Sequence, residues 1–234
     1  MNEKEIDVIL DEITESMLKD EESYYQPDNP FKSAKQIREE EKIRLRTLLE
    51  TTKTLRDQVG RAFQLVRDHG ALILSEEENE LIQKELDKIS DEKLDNPPPA
   101  IEELIRSESD VIIPYQHFFE ITDEGMNCLI KVAQFYYLGE QYQEAIDVLI
   151  FVNTLNPLIP EVCFSLGLCY QSLEKWNEAL VFFKLATELN PDYLEAHELV
   201  IANAKKLDET ELVDFHSKEI DRINKKSSEV NILK

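Results

Sequence analysis

The sequence predicts an all-α chain: an amino-terminal helical region followed by a stack of helical-hairpin repeats. Three observations predict it. Residues 126–157 resemble residues 160–191 at a fixed offset of 34, a period that marks stacked helix pairs. Apolar residues elsewhere recur every three or four positions, the spacing of one helix face. Only 5 glycines occur in 234 residues, too few for turn-dense β folds or for enzymes that cradle phosphates in glycine-rich loops. The expected layout is an amino-terminal region over 1–109, a connector over 110–125, repeats over 126–224 and a tail over 225–234.

Residues 3–20 place Ile6, Ile9, Leu10, Ile13 and Leu18 at helical spacing, a short amphipathic helix. Two prolines within residues 23–31 break it. A long helix is then expected over about 33–69, with Gly70 as its stop signal. Leu45, Leu48, Thr52, Leu55, Val59, Ala62 and Val66 form a heptad-like seam along it. The seam suits either packing on its own domain or homodimerisation through Leu45, Leu48, Leu55, Val59 and Val66.

Residues 32–70 hold ten basic and six acidic side chains, a local +4 within a chain of −23, which leaves −27 for the remainder. This polarity suits an acidic surface on the same chain or on another copy. A solvated helix face would account for it equally. Ser75 and Glu78 have capping-box spacing, so a further helix should run to about Ile89. Pro97, Pro98 and Pro99 stiffen a linker over 90–100. A short helix over 101–106 and an extended or irregular stretch over 110–119 complete this half.

In the repeats, Tyr136 aligns with Tyr170, Tyr142 with Trp176, Glu144 with Glu178, Ala145 with Ala179, and Asn156-Pro157 with Asn190-Pro191. The second unit carries Leu166, Gly167, Tyr170, Ala179, Phe183, Ala186 and Pro191 at the positions of the tetratricopeptide signature. Gly167 and Ala179 lack bulk and let two helices approach, Tyr170 and Phe183 fill the space between hairpins, and Pro191 ends a helix. A third unit over 194–224 is degenerate and more charged, as a terminal cap should be.

The first helix of each hairpin lines the concave face of such a stack. The expected groove comprises Ile130, Gln134, Tyr137 and Leu138 of the first repeat, Phe164, Leu168 and Gln171 of the second, and Ala202 and Lys205 of the third. Asn127, Glu161 and Glu198 lie on the same face. Ile130, Tyr137, Phe164 and Leu168 make an apolar strip that suits an extended peptide with small hydrophobic anchors. The alternative is a strip covered by the amino-terminal region or by a partner copy. Lys205 and Lys206 are too few cations for a groove that clamps carboxylates.

No catalytic, metal or cofactor site is legible. Cys128, Cys163 and Cys169 lack paired spacing and read as small buried hydrophobes in a reducing compartment. His69, His117, His197 and His216 belong to no ligand or catalytic motif; a groove-facing His197 would sense pH, but His197 reads first as a surface histidine. The negative charge disfavours nucleic acid and anionic membranes. No run of eighteen apolar residues suggests a membrane span, and no signal-like amino terminus is present.

Over roughly residues 121–207 the chain resembles the tetratricopeptide chaperones of bacterial type III secretion that escort translocators. The resemblance rests on Leu129, Ala133, Tyr137, Tyr142 with Glu144-Ala145, and the run from Leu166 to Leu173. It implies an acidic cytosolic chaperone that holds a segment of a hydrophobic secreted client in its groove and self-associates through an amino-terminal helix. The opening of the third repeat, from Pro191 to His197, departs from the family pattern, and the amino-terminal region is longer. The other function class compatible with the sequence is a structural scaffold that oligomerises through its amino-terminal helices.

Overall fold

In the computed structural model, residues 34–90, 99 and 114–232 are described, with side chains within 54–90 and 114–226. The helices predicted over 3–20 and 101–106, the proline linker apart from residues 90 and 99, and the side chains of Leu45, Leu48 and Thr52 lie outside these residues. Among the described residues every element is helical. They are α1 (Ala34–Ile73), α2 (Glu76–Leu86), α3 (Tyr115–Phe118), α4 (Asp123–Leu138), α5 (Tyr142–Leu155), α6 (Pro160–Ser172), α7 (Trp176–Leu189), α8 (Leu194–Lys206) and α9 (Thr210–Ile232). The chain divides into two units, residues 1–57 and 58–234.

Three boundaries differ from the sequence reading. Helix α1 passes through Gly70 to Ile73, because Gly70 is buried against Asn79 of α2 and serves close packing rather than termination. Helix α9 continues through the expected tail to Ile232, and one helical turn, α3, sits in the stretch expected to be extended. The expected domain limit near 109 also moves. Ala62, Val66, Leu74, Ile82 and Leu86 share one buried core with Leu129, Val132, Ile146 and Val152 of the first repeat.

The three hairpins, α4–α5, α6–α7 and α8–α9, are built on one backbone template. Glu140, Glu174 and Asp208 all adopt left-handed φ angles of 59°, 58° and 58°, each 34 residues from the next. Behind each, the amide of the following residue donates to a carbonyl five positions earlier: Gln141 to Tyr136, Lys175 to Tyr170 and Glu209 to Ala204, each at 2.9 Å. This is the bond that closes a helix through a left-handed residue. The third unit thus keeps the turn although its signature side chains have drifted.

Close packing within the second hairpin depends on Gly167. A Cβ there would sit 2.5 Å from Cε1 of Phe183, well inside van der Waals contact. In the first hairpin the same two positions hold Ala133 and Leu149, both buried; a larger residue on one helix is met by a smaller one on the other.

The repeats are anchored at both ends. At the amino-terminal end, Ser75 and Glu78 form the expected capping box on α2. Helix α2 runs antiparallel to α4, with Glu78 bonded to Lys131 and Glu85 Oε2 accepting from the Thr122 amide at 3.1 Å. Glu85 is buried, and its carboxylate rests at the amino terminus of α4, where free amides and the helix dipole favour negative charge. A Cβ at Gly125 would collide with that carboxylate. Residues 58–73 of α1 lie on α5. Arg61 grips Asp147 with two bonds, at 2.7 and 3.1 Å, and Phe63 packs on Phe151 with ring centroids 5.4 Å apart. His69 bonds the Tyr136 hydroxyl.

Val66 and Ala62 are fully buried here and Val59 packs against the same core. For this half of the seam, then, the partner is the chain's own repeat domain and not a second copy. Leu55 is exposed.

At the other end, His197 and His216 are both buried and share an Nδ1···Nδ1 hydrogen bond of 2.7 Å. The reading of His197 as a surface residue is thus corrected. Nε2 of His197 lies 3.2 Å from the Pro191 carbonyl. Burial, then the neighbouring His197, pushes the His216 pKa down to about 4. Arg222 and Lys226 of α9 bind Asp192, at 2.9 and 2.5 Å, tying the last helix to the preceding turn.

Candidate functional site

The concave face is built by the first helices of the hairpins, and its best-formed part lies between α4 and α6. A cavity of about 60 Å³ is lined by Ile130, Ala133, Gln134, Tyr137, Leu149, Ser165, Leu168 and Cys169. Such a volume accommodates one small aliphatic side chain or a few waters. A larger recess of about 410 Å³ adjoins α2 and is bounded by Glu78, Glu124, Asn127, Cys128, Ile130, Lys131 and Gln134. Ile130 and Gln134 line both, so the two recesses meet along one edge of α4.

The sequence reading named four of the residues that meet in the small cavity: Ile130, Gln134, Tyr137 and Leu168. It missed Ser165, Ala133 and Cys169, whose small side chains create the space instead of filling it. It also missed the acidic and basic wall, because Glu78 reaches Lys131 only through tertiary packing of α2. Those two groups fix each other's charge. The hydrogen bond from Lys131 holds the Glu78 carboxyl below its usual range, and Glu78 raises Lys131.

Phe164 does not line either recess. Its ring packs on Phe183 at 5.7 Å and on Tyr193 at 5.0 Å, so it supports the hairpin from within. Tyr137 is half-buried edge-on to Tyr142. Leu138 is 81% exposed beyond the cavity. Ala202 and Lys205 are exposed on α8 and line neither recess, and Lys206 lies 3.5 Å over the Trp176 ring. Gln171 is half-buried, and its Oε1 is shielded from solvent with no hydrogen-bond partner. An unfilled buried acceptor costs stability.

The thiols are buried, as the sequence suggested. Burial raises the pKa of Cys163 to about 11 and of Cys169 to about 12, so both stay protonated and unreactive near neutrality. Among the described residues no group of three or more His, Cys, Asp or Glu side chains is placed to hold a metal ion. No helix there is long and apolar enough to cross a membrane.

Residues 160–193 match the family model of the tetratricopeptide repeat. Together with the 34-residue recurrence of turn and hairpin, this sets the fold class. The fold is all-α and tetratricopeptide. Solved structures similar to the chain include one titled CopN-Scc3 complex, with a TM-score of 0.48 and 20% identity over 61% of this chain and 85% of that one. A T3SS complex from Aeromonas hydrophila has a TM-score of 0.47 and 14% identity, covering 54% of this chain and 81% of that one. A structure of MamA has a TM-score of 0.43 and 16% identity, with coverages of 49% and 67%. No curated protein sequence matches the chain at a significant level.

Proposed function

We propose that the chain is a non-catalytic, protein-binding chaperone or adaptor that holds an extended, apolar-anchored segment of a client in its concave groove. The observation that carries this reading is the pair of adjoining recesses along α4, one small and apolar, the other larger and edged by Glu78 and Lys131. A small hydrophobic side chain fits the first, while the wider recess admits main chain and polar groups.

The sequence resemblance to type III secretion chaperones makes a secreted or translocator-like protein the client class and the bacterial cytoplasm the place of action. The surplus of acidic residues would keep a complex with an apolar client in solution.

Gln134→Arg, at an exposed position, and Ile130→Asp, at a half-buried position on the edge of the core, test this. Phe164 is unsuitable because its loss would disturb the hairpin. Protein co-purified with the chain from its native host is identified by mass spectrometry, then expressed with wild type and with each variant. Loss of the partner from folded variants supports the groove. A partner retained at wild-type level by both removes it.

A further inference from the structure

The groove is acidic along one side. In the 34-residue register, Asn127, Glu161 and Glu195 occupy matched positions on the three first helices. Glu161 and Glu195 stand in the first turns of α6 and α8, and both are exposed. Burial first, and then the charges of these two carboxylates, raise the Tyr193 pKa. Both acids therefore lie within Coulombic reach of one phenol. The Tyr193 ring packs on Phe164 with centroids 5.0 Å apart, which ties it to α6. No cation among the described residues bridges to either carboxylate. Lys131, at the other edge of the groove, is by contrast already paired with Glu78.

A helix start favours a single acid for the sake of its dipole. The convergence of two acids from different hairpins on one half-buried aromatic ring is a further feature. Carboxylates beside an aromatic face are the surroundings that suit a Lys or Arg side chain.

We propose that the client segment carries a Lys or Arg side chain that seats between Glu161 and Glu195 beside Tyr193, while its aliphatic anchor fills the small cavity. This rests on the groove reading and adds to it the chemistry of the client. The helices set the spacing of the two anchors. Glu161 lies one turn, about 6 Å, before Ser165 of the small cavity. Helix α8 stands one helix spacing, about 10 Å, from α6. A cation seated between them is on the order of 10 Å from the aliphatic anchor, the reach of about three residues of extended chain. The wider negative charge of the chain draws such a segment in, and the seat fixes its register.

Random short peptides displayed on phage are selected against the full chain. Sequencing should show an aliphatic residue, with Lys or Arg enriched about tenfold over the input library at one fixed spacing from it. The same selection on Glu161→Gln/Glu195→Gln should keep the aliphatic residue and lose the basic one. Glu178→Gln/Glu211→Gln removes two exposed acids from the first turns of second helices, and it should keep both. Peptides with an aliphatic anchor and no basic preference overturn the proposal and leave the groove reading standing. A basic preference that survives Glu161→Gln/Glu195→Gln overturns it too. One that both acid-pair variants lose equally reports net charge alone and does the same. A selection without consensus, or with one that Ile130→Asp leaves unchanged, removes the groove reading itself.

Discussion

The first two repeats share a backbone template and differ in what surrounds them. In the first, the convex row is Asp147, Phe151 and Leu155, buried under α1 and α3; in the second it is Val181, Leu185 and Leu189, open to solvent. Their cores solve one packing problem in opposite ways, with Ala133 facing Leu149 and Gly167 facing Phe183. The difference teaches that the period fixes hairpin and turn, while each unit's neighbours decide which side chains it can carry. An aspartate is tolerable at position 147 because Arg61 arrives from outside the repeat with two hydrogen bonds.

The widest gap between the two should appear on truncating matched positions. Phe151→Ala removes a fully buried ring and should cost about 3–5 kcal/mol. Leu185→Ala, 34 residues on, should cost under about 1 kcal/mol in the monomeric state. Denaturant melts of both variants measure this, and equal losses would break the comparison.

The next largest effect concerns the small–large exchange. Gly167→Ala places a methyl group against the Phe183 ring and should cost about 1–3 kcal/mol. Combining it with Phe183→Leu recreates the first repeat's pair, and the double variant should lose less than the two single losses added together. Simple additivity in that cycle would show that the positions do not compensate one another.

The third repeat differs from both in its chemistry. Where the first repeat has Leu129 and Val148, the third has His197 and His216. The folded state holds His216 neutral down to about pH 4, against an unfolded value near 6.5. Its folded pKa is depressed, so stability is full above pH 6.5 and falls as the pH drops from there toward 4. The fall should be on the order of 2 kcal/mol. Thermal melts across that range should show it, and His197→Leu combined with His216→Val should flatten this component. An unchanged pH profile in the double variant would remove the histidine pair as its source.

The smallest effect is at the shared turn. Glu140, Glu174 and Asp208 each hold a left-handed conformation that glycine adopts without strain. Glycine at any one should raise stability by up to about 1 kcal/mol, by a similar amount in all three repeats. A loss at one position alone would mean that its side chain has a separate role.

The hairpins and the core were legible in the sequence because Tyr136 with Tyr170 and Ala145 with Ala179 recur on the period, and Phe183 packs as the signature requires. Ile130, Gln134, Tyr137 and Leu168 were assigned to one face by the same spacing, and they meet in the small cavity. What escaped depends on contacts distant in sequence. Phe164 sits at a groove position but is held by Phe183 and Tyr193. Lys131 belongs to the wall only because α2 delivers Glu78. The half of the seam containing Val66 suited either its own domain or a second copy by its spacing alone, and the chain buries it internally. Gly70 resembled a helix stop because nothing local shows Asn79 packed against it.

The central claim, that the concave groove holds a client, is tested most directly by placing a photo-crosslinking residue at position 134 in the chain expressed in its native host. A covalent adduct should form with a partner, and peptide mapping should locate it in an apolar-anchored stretch of that partner. No adduct at position 134 from a chain with which that partner still co-purifies would contradict the account.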